Sequence, residues 1–289
     1  CALLLVLMST LSQAHSAPYD VLIRHGTIYD GSGQAPIIAD LAIQGDRIAA
    51  IGPLPDARAR RELDARGLAV APGFINMLSW ANESLLADGR SQSNIRQGVT
   101  LEVMGEGESM GPLNPAMKRN LVAQQSDIRY RVRWTTLGEY LEHLVQRGVS
   151  CNVASFVGAA TVRIHELGYA DRAPAPVELA RMQALVRQAM AEGALGVASA
   201  LIYAPGFYAQ SNELAALAQV AAEHDGLYIS HLRSEGNRFI EALDEFLATA
   251  CQAGVRAEVY HLKTAGQANW PKLDAAIRKI ETARAAGQR

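Results

Sequence analysis

From Ala69 onward the chain alternates short apolar runs rich in β-formers with longer stretches of helical periodicity, a rhythm that few architectures accommodate. The strand candidates are residues 69–78, 99–106, 151–158, 194–203, 227–233 and 256–262, and the helices between them include 115–125, 136–147, 176–192, 211–224 and 236–252. Helix 211–224 shows the basis. Ser211 stands where an N-cap belongs, Glu213 follows near the start, and Leu214, Leu217, Ala218 and Ala221 form one face. Such alternation predicts a parallel sheet with both faces covered. A (β/α)8 barrel with about six of its eight units present fits, and so does an open doubly wound sheet.

The chain ahead of Ala69 reads differently. Asp20-Val-Leu-Ile-Arg-His-Gly-Thr-Ile-Tyr alternates and meets the turn Asp30-Gly-Ser-Gly, and Gly45-Asp46 sits between two strand-like runs as a hairpin turn. Residues 18–68 are therefore expected to form a small β unit, and residues 69–289 the α/β domain. The apolar run over residues 2–11, followed by Ser12, Ala14, Ser16 and Ala17, reads as a secretory leader over residues 1–17 that lacks its basic start. It is too short to span a bilayer. The expectation is a secreted or periplasmic protein with no membrane attachment after leader removal. The bland alternative is a buried N-terminal element. Residues 273–289 read as a helix capped by Gly287. The first residue is Cys1, not Met, and together these ends suggest a piece of a longer reading frame.

Composition narrows the partners. Hydrophobic residues make up 49% of the chain, enough for a sizeable core, and the net charge of −2 leaves no basic footprint for nucleic acid. Cys151 and Cys251 are expected to be free, buried thiols.

In α/β folds of this kind, chemistry gathers at the C-terminal ends of the strands. Strand 227–233 ends in Ser-His231-Leu-Arg233-Ser-Glu235, and strand 256–262 in Tyr-His261-Leu-Lys263. Each carries a histidine followed two residues later by a cation. Consecutive parallel strands are usually neighbours, so the two imidazoles can reach one metal ion. Either histidine alone is as readily a hydrogen-bonded core residue; the repetition favours the ligand role. His15, His25, His143, His165 and His224 fall in the leader, the β unit, helices or loops. Strand 99–106 and its exit carry Glu102, Glu106 and Glu108, and buried carboxylates need partners or a metal. Glu106 is the preferred ligand and Glu108 the alternative, against a solvated, helix-capping loop; Glu102 lies deeper, where a structural ion pair is as good a reading. Tyr203, ahead of the Pro-Gly turn, either presents its hydroxyl at the site or packs.

The strings Gly193-Ala-Leu-Gly-Val-Ala-Ser-Ala-Leu-Ile-Tyr-Ala-Pro-Gly206, Tyr228-Ile-Ser-His-Leu-Arg-Ser-Glu-Gly236 and Tyr260-His-Leu-Lys263, with the opening Asp20 to Gly33 and Val70-Ala-Pro-Gly-Phe-Ile75, resemble the D-aminoacylase branch of the amidohydrolase superfamily. The resemblance implies an α/β barrel of the triosephosphate-isomerase type flanked by a β-sandwich, of which the N-terminal β unit is one part. It implies zinc, bound by His231 and His261, and a non-peptide amide as small-molecule substrate, most closely an N-acyl-D-amino acid. Arg233, Lys263 and Tyr203 match positions near the substrate, where a cation can pair with a carboxylate. The resemblance implies metal-assisted hydrolysis of the amide, in which zinc would supply a hydroxide from its bound water. The general acid/base is an aspartate expected beyond residue 289, so the printed chain alone is expected not to turn over substrate.

Three departures stand out. Relatives carry His-x-His after Pro-Gly-Phe-Ile, where this chain has Asn76-Met-Leu-Ser-Trp80. They place a metal-binding cysteine where this chain has Gly105-Glu106-Gly107-Glu108, and zinc accepts a carboxylate there. Gly158-Ala-Ala-Thr-Val-Arg163 lacks a histidine often found before the arginine. One zinc ion is therefore expected rather than two. The competing readings are a cyclic amide hydrolase of the dihydroorotase or hydantoinase kind, and a non-catalytic binding protein that kept the barrel.

Overall fold

A computed structural model describes residues 19–289; the leader expected over residues 1–17 lies outside the described residues. The chain divides into two compact units at Gly73/Phe74.

The first unit is a β-sheet. Strands β1 (Tyr19–Ile28), β2 (Ile37–Gln44), β3 (Arg47–Gly52) and β4 (Ala59–Asp64) lie in the order β3-β2-β1-β4, and the short β5 (Ala69–Val70) pairs with β1. The antiparallel β2–β3 hairpin turns at Gly45-Asp46, as its sequence requires. Leu22, Ile28, Leu41 and Ala42 supply its buried face. The strand expected over 69–78 is thus two strands. Residues 69 and 70 extend the β unit in parallel with β1, and the second unit starts only at Phe74. Pro72, which has no N–H to give a ladder, and Gly73 separate them.

The second unit is mixed α/β. Its strands are β6 (Phe74–Asn76), β7 (Val99–Met104), β8 (Asn152–Ser155), β9 (Val157–Gly158), β10 (Gly196–Ala200), β11 (Leu227–His231) and β12 (Arg256–Val259). They form two wholly parallel sheets, β6-β7-β8 and β9-β10-β11-β12, in sequence order throughout. Phe156 alone separates β8 from β9, so the chain passes from one sheet directly into the other. Short helices α1 (Ser84–Ala87) and α2 (Gln92–Ile95) precede β7. The longer helices are α3 (Pro115–Ala123), α4 (Leu137–Arg147), α5 (Ala159–Leu167), α6 (Pro176–Ala191), α7 (Ser211–Glu223), α8 (Phe239–Ala253) and α9 (Leu273–Ala285).

Local chemistry explains the helix ends. Thr136 and Glu139 form a capping box ahead of α4, each side chain accepting the other's backbone N–H at 3.2 and 3.1 Å. In α7, Leu214, Leu217, Ala218 and Ala221 are all buried, as the periodicity requires. Gln210 rather than Ser211 is its N-cap, and the Ser211 hydroxyl donates instead to Glu245 at 3.0 Å. Helix α5 is unforeseen by the periodicity. Its residues 159–163 are buried all round, which erases the amphipathic signal. Cys151 is buried as expected, whereas Cys251 is exposed on α8; both are free. No helix among the described residues is long and apolar enough to cross a membrane.

Candidate metal centre

The loop after β7 carries the first site residue. Gly105 has φ +103°, and a Cβ there would stand 2.4 Å from the Phe156 carbonyl oxygen; at Gly107 it would stand 2.6 Å from the Ala200 Cβ. Only glycine fits on either side, and the turn between them presents the buried carboxylate of Glu106. His231 is the last residue of β11, and its side chain is buried as well.

His261 comes from an irregular position. Strand β12 ends at Val259, which pairs with Ser230, so regular alternation would put Tyr260 on the face of His231 and His261 on the other. Tyr260 does join the apolar cluster of Val103, Phe156 and Ile229. His261, however, has φ +33°, an uncommon backbone for a side chain with a Cβ. That left-handed turn brings its ring round to meet His231 edge to face, with centroids 4.5 Å apart.

The three groups converge. Glu106 Oε1 lies 3.0 Å from His231 Nδ1 and 3.1 Å from His261 Nε2. One donor atom from each of Glu106, His231 and His261 lies within 4.8 Å of the others, which makes them a candidate metal-binding group. A tetrahedral ion with bonds of about 2.0–2.2 Å separates its donors by roughly 3.3–3.6 Å, a few tenths of an ångström more than the two distances from Glu106 to the imidazoles. The donor set of one carboxylate and two imidazoles suits zinc. Burial pushes the Glu106 carboxyl up, but the two imidazoles outweigh it and hold the group below the usual carboxylate range.

Two residues not singled out by the sequence complete the cluster. Glu235 Oε1 lies 3.1 Å from His261 Nδ1 and 3.6 Å from His231 Nε2, a buried nitrogen with no hydrogen-bond partner. Two carboxylates thus bracket the imidazole pair, Glu106 on one side and Glu235 on the other. A metal-bound histidine usually donates its second N–H to a carboxylate, the position Glu235 occupies. Its signal was present as the His231-x-x-x-Glu235 spacing. Trp80 is the other; its Nε1 donates to Glu106 Oε2 at 3.1 Å, leaving Oε1 to the histidines.

The remaining expected residues divide. Lys263 Nζ pairs with Glu235 and stands 3.0 Å from His261 Nδ1, so it belongs to the cluster. Tyr203 sets its ring edge-on to His231 at 5.4 Å and lines a cavity of about 510 Å³ with Glu106 and Trp80. Arg233 turns away. Its guanidinium donates to Glu245 at 2.8 and 2.9 Å and to the carbonyls of Phe207 and Ala209, a bracing role between β11, α8 and the loop after β10. Glu108 is not in the cluster. It lines the same cavity with no side-chain partner among the described residues, open to solvent through the cavity yet walled by protein that raises its carboxyl above the usual range. Glu102 makes no ion pair. It accepts from Ser79 and Ser91 hydroxyls at 2.5 Å each and from Asn94 at 2.7 Å; burial raises its carboxyl, and these donors more than reverse that. In the segment Asn76-Met-Leu-Ser-Trp80, which carries no histidine, Met77 and Leu78 pack into the apolar cluster.

No protein-family model matches the chain. The D-aminoacylase of Alcaligenes xylosoxydans xylosoxydans is 35% identical over 279 residues, covering 95% of this chain and 57% of that protein. The N-acyl-D-glutamate deacylase of the same organism is 34% identical over 268 residues, covering 93% and 55%. Among solved structures, the N-acyl-D-glutamate deacylase of Bordetella bronchiseptica, complexed with zinc and a phosphonate mimic of the tetrahedral intermediate, superposes with a TM-score of 0.84 at 32% identity over 94% of this chain and 57% of that one. A D-aminoacylase studied for its binuclear metal centre, with one-metal activation and second-metal attenuation, gives 0.82 at 32% identity over 93% and 56%. The chain spans little more than half the length of the curated relatives it matches.

Proposed function

We propose that this chain, a homologue of the D-aminoacylases over nearly all of its described length, forms the metal-binding part of a hydrolase that cleaves the amide bond of N-acyl-D-amino acids. The convergence of Glu106, His231 and His261 carries this reading. We read the second unit as six strands of an eight-stranded (β/α) barrel, counting β8 and β9 as one, and the first as part of a flanking β-sandwich. We read the protein as secreted or periplasmic, on the strength of the apolar run over residues 2–11 and the small residues that follow.

Glu106, His231 and His261 would hold a single zinc ion. One ion rather than two is favoured by the segment 76–80, which carries no histidine and packs Met77 and Leu78 into the apolar cluster. Zinc supplies there a Lewis acid and, from its bound water, a hydroxide at neutral pH. The protein's own groups do the rest. Glu106 is kept ionised and fixed by Trp80. Glu235, 3.1 Å from His261 Nδ1 and 3.6 Å from His231 Nε2, stands where a carboxylate behind metal-bound histidines would orient them. Lys263, beside Glu235, offers its ammonium to the substrate carboxylate, and Tyr203 lines the approach to His231. The burial of Glu106 and His231 lowers the local dielectric around that pair, which strengthens the interaction between them.

The test is metal content and turnover of the full-length protein. About one zinc per chain is expected, together with release of free D-amino acid from N-acyl-D-amino acids and none from hydantoins. Failure to retain any divalent metal, or turnover of hydantoins alone, overturns the proposal.

A further inference from the structure

A second cavity, of about 410 Å³, opens beside the metal pocket, and Trp80 and Glu108 line both. Helix α3 contributes Met117 and Leu121, the loop beyond it Ile128, and α5 Ile164; Met110 and Leu113 close the inner end, with the exposed Asn120 and Gln124 at the rim. Among the described residues, no lysine, arginine or histidine lines it. Glu106 marks the junction, since Oε1 serves the two imidazoles while Oε2 accepts from Trp80, the residue that also walls the second cavity.

We propose that this cavity is the subsite for the acyl arm of the substrate and that it selects apolar acyl groups longer than acetyl; the inference rests on the hydrolase reading above. An N-acyl amino acid has three arms: the acyl group on one side of the amide, and the carboxylate and side chain on the other. Its carboxylate belongs on the side of Lys263, the ammonium nearest the cluster. The cavity repels that end, because it offers two carboxyl groups, Glu83 and Glu108, and no cation. Of the two uncharged arms, the acyl group, which lies across the amide from the carboxylate, points past Trp80 and meets the side chains of Met117, Leu121, Ile128 and Ile164. Pockets of about 300–1,000 Å³ enclose most of a drug-sized ligand, so an acetyl group alone leaves most of this one unfilled. Each methylene buried there raises kcat/KM by about fourfold, which amounts to on the order of a hundredfold from acetyl to hexanoyl.

The experiment compares zinc-loaded full-length protein on N-acetyl-, N-butyryl-, N-hexanoyl- and N-octanoyl-D-leucine with the variants Leu121→Trp and Ile128→Trp, whose indoles fill the cavity from two different elements. In the wild type, kcat/KM climbs with chain length, and in either folded variant the hexanoyl-to-acetyl ratio collapses to within about tenfold. A wild type that hydrolyses the acetyl substrate with no gain on lengthening overturns the subsite and leaves the hydrolase reading intact. So does a variant that keeps the full ladder. If no acyl amide is hydrolysed, the hydrolase reading falls, and calorimetric binding of N-hexanoyl- against N-acetyl-D-leucine decides the cavity by itself. Preference for hexanoyl that Leu121→Trp abolishes upholds it, and equal binding overturns it.

Discussion

His231 and His261 meet edge to face across a single oxygen of Glu106, one from the end of a regular strand and the other from a left-handed turn just beyond its neighbour. Each ring lies between two carboxylates, Glu106 at 3.0–3.1 Å on one side and Glu235 at 3.1–3.6 Å on the other. A pair of imidazoles placed in this way presents nitrogen lone pairs that a divalent cation can collect.

Replacing any one of the three donors should therefore empty the centre. Glu106→Ala, His231→Ala and His261→Ala are each expected to lose most of the bound zinc, measured by elemental analysis after dialysis, while far-ultraviolet circular dichroism stays unchanged. Full zinc retention in any of them removes that residue from the ligand set.

Glu235 should act through the rings rather than on the ion. Glu235→Gln is expected to weaken zinc affinity by about 10–100-fold in a chelator competition, the usual effect of losing a carboxylate behind a histidine ligand. Wild-type affinity in this variant would show that the histidines hold their orientation without it.

The buried ion pair between Arg163 on α5 and Glu213 on α7 makes a separate prediction. The partners are 0% and 2% exposed and 2.6 Å apart. Glu213→Ala leaves a guanidinium in the core with two carbonyls and no counter-charge, and should cost about 3–5 kcal/mol in urea unfolding. The double variant Arg163→Met/Glu213→Leu should recover much of that loss, because no uncompensated charge remains. A double variant as unstable as the single one contradicts the electrostatic account.

Acid should reveal the anchor beneath the site. The Glu102 carboxyl is held below its ordinary value of 4.5 by Ser79, Ser91 and Asn94, against the effect of burial. A depressed folded-state pKa contributes stability that is present above the unfolded value and lost as pH falls through the folded one. Ser79→Ala removes one donor. Its stability deficit should be largest above about pH 5 and should shrink as acid protonates Glu102 in both proteins. A deficit that does not change with pH assigns the loss to packing instead.

Much of this was legible in the residues. The alternating pattern foretold the parallel strands and most helices, since buried parallel strands and amphipathic helices each write a distinct period. His231 could be placed because it ends a regular strand, and Glu106 because a charge between two glycines at a strand exit has few structural uses. His261 lies beside His231 for a reason the pattern does not contain. Alternation points its ring the wrong way, and only the turn at φ +33° corrects it. Arg233 illustrates the converse. Its spacing matches Lys263, but Glu245, twelve residues on and one helix away, captures it. Helix α5 stayed hidden because uniform burial leaves no polar face to count.

Because the Phe156 carbonyl and the Ala200 methyl leave no room for a side chain at Gly105 or Gly107, the position between them is a bezel into which different stones can be set. Cation preference is then adjustable at one position without reshaping the loop. Glu106→Cys exchanges a hard oxygen for a soft sulfur on the same mount and should tilt the centre away from manganese and toward thiophilic ions such as copper(I).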